Sequence, residues 1–177
     1  MKYLIVSADD LGLSESIDRG IIKGYEEGIV TCLNVLPTGA KFYEAMALLR
    51  VTKAKEVSAH LALTETAPVS EAAKIPSLIA EDGAFHKSYI GFLSDFLQKK
   101  IDRDQIYIEL KNQVERIKEA SFPITSLSSH QHIHMLPGIL DIFVRLAKEY
   151  DIPSIRYLHN DRFSYPYSAK KIFKKWE

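Results

Sequence analysis

Short apolar runs alternate with helix-patterned segments along most of the chain, and that alternation leaves few architectures open. Residues 3–7 (YLIVS) read as a strand buried on both faces, followed by Asp9-Asp10 and Gly12. Ser14 has the chemistry of an N-cap for a helix over residues 16–27, with Ile17, Ile21 and Tyr25 on one face and Gly28 as the stop. Residues 29–36 read as a second strand, 41–50 as a helix, and 56–63 as a third strand ending around His60. Residues 64–88, rich in Pro, Ala and Gly, read as a long, partly irregular insertion. Two helices are expected next, at 89–99 (Ile90, Leu93, Leu97) and 103–120 (Ile106, Leu110, Val114, Ile117). A fourth strand at 124–129, a helix at 138–150 and a fifth strand at 154–158 complete the order. This is the pattern of one α/β domain, residues 1–177, built on a mostly parallel sheet or barrel. In such folds ligands gather where the strands end at their carboxyl termini, so the polar residues at those points carry the functional reading.

Charge narrows the partners. With 23 acidic and 23 basic residues, no net field draws the chain to nucleic acid or to an acidic membrane. No apolar stretch approaches the roughly 20 residues of a membrane helix, and the N-terminus lacks the pattern of a signal peptide, so a soluble cytoplasmic protein is expected. The single cysteine, Cys32, sits in an apolar run and reads as a small core residue. Lys170, Lys171, Lys174 and Lys175 read as a solvated helical face.

Three places carry chemistry. Asp9 and Asp10 are adjacent carboxylates that repel unless a cation or a shared proton relieves them; one can hold a metal while the other faces substrate as a base. The alternative is an Asx-type turn capping the following helix. The stretch Ser129-His130-Gln131-His132-Ile133-His134 holds half of the chain's six histidines. On an extended backbone His130 and His134 would lie roughly 13 Å apart, too far to share an ion, so one is expected as a ligand and the others for proton transfer or support. His60, alone on an apolar strand, gains weight only in company. One carboxylate and two imidazoles make a three-ligand centre with open positions, which a hydrolytic metal site needs. His86 and His159 read as exposed or rim residues.

These segments together resemble the YdjC-like carbohydrate deacetylases, a family that includes chitooligosaccharide deacetylases. The similar stretches are Ser7-Ala-Asp9-Asp10-Leu-Gly12-Leu-Ser14, Gly28-Ile-Val-Thr31, Ala59-His60-Leu-Ala-Leu-Thr64, Asp82-Gly83-Ala-Phe85, Ser129-His130-Gln-His132-Ile-His134-Met-Leu-Pro137 and Ile152-Pro-Ser-Ile-Arg156. They follow the family's order and span nearly the whole chain. The resemblance implies a TIM-barrel-like fold, incomplete or open here because family members continue past Trp176-Glu177. An open edge strand would favour a homo-oligomer. It also implies removal of N-acetyl groups from a small amino sugar or chitooligosaccharide, with one divalent metal, Mg2+ or Zn2+, held by Asp10, His60 and His130. Asp9 is then the general base, His134, in preference to His132, the proton donor, and Arg156 the residue that orients Asp9. Three positions depart from the family: Ser128 stands where an aspartate is usual, and Ser126 and Gln131 where histidines are usual. A different metal-dependent amidase or esterase, and a catalytically weak relative that binds a sugar or a partner, are the alternative readings.

Overall fold

The computed structural model describes residues 4–86 and 88–158; His159, the lysines at 170, 171, 174 and 175, and Trp176-Glu177 lie outside them. Four parallel strands form one sheet in the order β1 (Ser7–Leu11), β2 (Cys32–Val35), β3 (Val57–Leu61) and β4 (Ile124–Ser129). Between and after them run α1 (Glu15–Glu26), α2 (Phe42–Leu49), α3 (Tyr89–Leu97), α4 (Arg103–Glu119) and α5 (Leu140–Glu149). The sheet is open among the described residues. The expected fifth strand is reduced to one parallel bridge, Leu127 with Ile155, where the Arg156 N–H donates to the Leu127 carbonyl at 2.8 Å.

Alternation across the pleat gives the sheet two unlike faces. Leu33, Val35, Ala59, Leu61 and Leu127 point into one apolar core shared with Met46, Leu110, Val114, Ile117, Phe143 and Leu146. The interleaved residues Asn34, Ser58, His60 and Ser128 are polar and almost fully buried. α4 buries the expected stripe of Ile106, Leu110, Val114 and Ile117.

Three elements differ from the sequence expectation. Among the described residues strand β1 begins at Ser7; Leu4 and Ile5 are 81% and 72% exposed, since the ladder register starts at Ser7 with Cys32 and upstream of it only Val6 bonds to Thr31 and Cys32. In α3 the buried side chain is Phe92, stacked on Phe96 at 6.1 Å, while Ile90 and Leu97 face outward. The two rings, four residues apart, offer more apolar surface than the aliphatic stripe and set the helix rotation. In α1 Ile21 and Tyr25 pack against the core as expected, but Ile17 is exposed and the fully buried pair is Asp18 and Ile22, with Asp18 Oδ1 accepting from the Gly12 N–H at 2.6 Å. Ser14 caps α1 as expected, accepting from the Ile17 N–H.

That Asp18 bond belongs to a tight crossing that fixes the loop after β1. Gly12 has φ +105°, and a Cβ on Gly39 would lie 2.1 Å from the Gly12 carbonyl oxygen. Only two glycines let the loops following β1 and β2 touch backbone to backbone.

Candidate metal centre

Asp9 and Asp10 lie inside β1, not beyond it, at an irregularity in the ladder. Ala8 pairs with Leu33 and Leu11 with Val35, so β1 spends one residue more than β2 between those pairs. Asp10 sits in the left-handed region at φ 67°. A bulge re-aims side chains that an even pleat would send to opposite faces, and here it sends the two carboxylates to different partners.

Asp10 meets two imidazoles. Its Oδ1 accepts from His130 Nδ1 at 2.9 Å and lies 3.4 Å from His60 Nε2. The two rings stand nearly perpendicular, centroids 5.8 Å apart. One ligand atom from each of Asp10, His60 and His130 falls within 4.8 Å of the others. His60 comes from β3, and His130 opens the 3-10 segment His130–Met135 directly after β4, so all three sit at the carboxyl end of the sheet. The hydrogen bond from His130, the largest of the causes, holds the Asp10 carboxyl far below the usual carboxylate range. His130 moves the other way: bonds to Asp10 and to Glu65 raise it to about 9 against the pull of burial. A carboxylate facing two imidazole nitrogens at these separations is a donor set suited to a divalent ion, with oxygen and nitrogen ligands of the kind zinc accepts.

Asp9 turns to Arg156. Nη1 donates to Oδ2 at 2.7 Å and Nη2 to Oδ1 at 2.8 Å, a two-pronged pair with Asp9 a third exposed and Arg156 less so. Burial alone would raise the Asp9 carboxyl, but the hydrogen bonds from Arg156 and its positive charge hold it below the ordinary value.

The histidine stretch is not extended. Gln131 and His132 both adopt φ 54°, which folds the backbone back on itself and separates the three rings in role as well as direction. His134 is fully buried. Its Nε2 donates to the Arg156 carbonyl at 2.8 Å, which leaves Nδ1 to accept from the Ser129 hydroxyl at 2.6 Å. Burial drives its pKa down to about 4. A neutral ring with both nitrogens committed has no proton to give a substrate, so the donor role expected of His134 does not suit these surroundings. The ring instead anchors the backbone of Arg156. The His132 ring packs edge-on against it, centroids 6.3 Å apart.

Two residues here were not singled out in the sequence. Glu65, also left-handed at φ 65°, accepts from His130 Nε2 at 3.0 Å and from Gln131 Nε2 at 2.7 Å, while Gln131 Oε1 accepts from the Thr64 hydroxyl at 3.0 Å. Asn34, fully buried on β2, accepts from the Ser128 hydroxyl at 3.1 Å, and Ser128 in turn contacts His60 Nδ1 at 2.8 Å. The signal for Asn34 was available: a lone amide in an apolar strand has to find partners. Glu65 follows the end of β3 in a turn and carried no comparable mark.

The family profile described as YdjC-like protein matches residues 3–176. The chain belongs to the YdjC-like family. A carbohydrate deacetylase of Brevibacillus brevis is 35% identical over 87% of the chain and 58% of its own length. A chitooligosaccharide deacetylase of Salmonella typhimurium is 37% identical over 84% and 56%. A crystal structure from Enterococcus faecalis V583, described provisionally as a cellobiose-phosphate cleavage protein, superposes with a TM-score of 0.76 at 28% identity, covering 85% of this chain and 57% of that one. The chain therefore spans under three-fifths of the length of each of these YdjC-like relatives and of that structure. No described helix is long and apolar enough to cross a membrane.

Proposed function

We propose that this YdjC-like chain carries the metal centre of an N-deacetylase that removes acetyl groups from a small N-acetylated amino sugar or chitooligosaccharide. One observation carries the reading: Asp10, His60 and His130 converge from three strand ends, and a second carboxylate, Asp9, stands beside them in the grip of Arg156. The names of the relatives supply the substrate class.

A divalent ion held by Asp10, His60 and His130 would polarise the acetamide carbonyl and make a nearby water more acidic. The chain's own part is positional and acid–base. Asp9 is ionised at neutral pH, and its two oxygens keep lone pairs beyond those that Arg156 uses. It takes a proton from water as the water oxygen bonds to the acetamide carbon. When the carbon–nitrogen bond breaks, the same proton passes from Asp9 to the sugar nitrogen, giving acetate and a free amine. Arg156 fixes the direction of Asp9, and His134 fixes Arg156 by holding its carbonyl.

Acetate release from a panel of N-acetylated chitooligosaccharides, with and without chelator, tests the proposal. Release that depends on metal supports it. Turnover confined to esters or non-sugar amides would assign the centre to another hydrolase, and sugar binding by metal-loaded protein without acetate would leave a binding relative.

A further inference from the structure

The interior of the sheet contains a short polar chain that the acid–base scheme does not use. Asn34 on β2, His60 on β3 and Ser128 on β4 lie on the same face, all buried: Asn34 and Ser128 completely, His60 to 2% exposure. One direction of hydrogen bonding satisfies all of their contacts at once. Asn34 Nδ2 points to the Ala8 carbonyl at 3.5 Å, a group that can only accept, so Oδ1 is the atom left facing Ser128. The Ser128 hydroxyl has one hydrogen and two acceptor-only neighbours, Asn34 Oδ1 at 3.1 Å and the Ala59 carbonyl at 3.4 Å. Whichever it serves, that hydrogen is spent away from His60. The contact of 2.8 Å between Ser128 Oγ and His60 Nδ1 then has to take its hydrogen from the ring.

We propose that Asn34 and Ser128 form a neutral relay that selects the tautomer of His60, keeping the hydrogen on Nδ1 so that the Nε2 lone pair faces Asp10. Both are positioning residues, acting through His60. The inference rests on the metal reading above and adds what sets one ligand's electronic state. Reversing the amide of Asn34 would reverse the relay. With Asn34 donating, the Ser128 hydrogen would be free to turn to Nδ1, its nearest neighbour; the ring hydrogen would then move to Nε2, and that nitrogen would have no lone pair to offer. A buried hydroxyl–amide pair does this without adding a charge next to Asp9 and Asp10, which already crowd two negative groups into one bulge.

The test uses 15N-labelled full chain loaded with Zn2+, which is diamagnetic. Long-range 1H–15N spectra should show His60 with a slowly exchanging hydrogen on Nδ1 and zinc on Nε2. Zinc affinity, measured by chelator competition, should fall 10- to 100-fold in Ser128→Ala and recover in Ser128→Thr, which restores the hydroxyl. Asn34→Asp keeps an acceptor and should keep the tautomer, whereas Asn34→Leu should admit the second tautomer into the spectrum. Thermal unfolding of each metal-free variant separates a lost fold from a lost relay. Zinc bound through Nδ1, or equal affinity in folded Ser128→Ala, would overturn the relay and leave the metal centre standing. A wild-type chain that takes up no zinc would overturn both.

Discussion

Proton and metal compete for one nitrogen at His130, and the competition can be measured. In the metal-free fold the ring is held by Asp10 on Nδ1 and Glu65 on Nε2, with its pKa raised to about 9. An ion needs a lone pair on a ring whose two nitrogens both face carboxylates, so binding at pH 7 requires that a proton leave. Two pH units below the pKa, this weakens binding by about 100-fold relative to the deprotonated ring, or roughly 3 kcal/mol. Apparent affinity should therefore rise about tenfold per pH unit from pH 7 to 8.5 and level off near 9. Calorimetry in buffers of different ionisation enthalpy should count about one proton released per ion at pH 7.5, which lies about 1.5 units below that pKa and leaves nearly every ring protonated before binding. Glu65→Gln removes one of the two carboxylates that favour the imidazolium but keeps an acceptor for the neutral ring. It should tighten binding at pH 7 and flatten the slope. An ion that binds with no pH dependence in this window, and without releasing a proton, would refute the competition.

The other predictions concern Asp9, Arg156 and His134. Asp9→Asn should lower acetate release by roughly 10²–10⁴-fold while metal occupancy stays at the wild-type level; loss of the ion would mean that Asp9, not Asp10, is the ligand. Arg156→Lys breaks the two-pronged pair, so the Asp9 carboxyl should rise and the acid limb of the kcat/KM profile should move to higher pH. Metal-free stability should peak near pH 6.5. Above it, the raised His130 makes the folded state the better proton binder, and its contribution is lost as pH climbs through about 9. Below it, His134, lowered to about 4, makes the unfolded state the better proton binder, so stability drops as pH falls toward 4. Melting temperature followed from pH 4 to 10 checks both limbs, and His134→Gln should flatten the acid one.

Most of the architecture was legible because apolar spacing carries it. The stripe of α4 was read residue for residue, and the carboxyl ends of the strands marked where to look for Asp10, His60 and His130. Other features depended on forces that spacing does not record. The bulge at Asp9 and Asp10 is a backbone event with no hydrophobic signature. Two left-handed residues, Gln131 and His132, make the run neither extended nor a regular helix and turn the buried His134 toward the Arg156 carbonyl. In α3, two stacked rings outweighed Ile90 and Leu97, while Leu93 still packs against the core. The partners of His60 and His130 come from strands and turns distant in the chain, so Asn34 and Glu65 acquire meaning only once β2, β3 and β4 lie side by side.

Asp10, Glu65, Gln131 and His132 all occupy backbone geometry in which glycine would rest more easily, by about 1 kcal/mol each. A laboratory lineage bred only for heat resistance would meet the same relief at these four as at Lys99, Ser121 and Asp151, which also stand at positive φ. Through the four it would acquire a sturdier protein with a blunted centre, since each of those replacements also deletes a carboxylate, amide or ring. Any thermostable descendant with glycine at 131 should be assayed for metal before its activity is taken for granted.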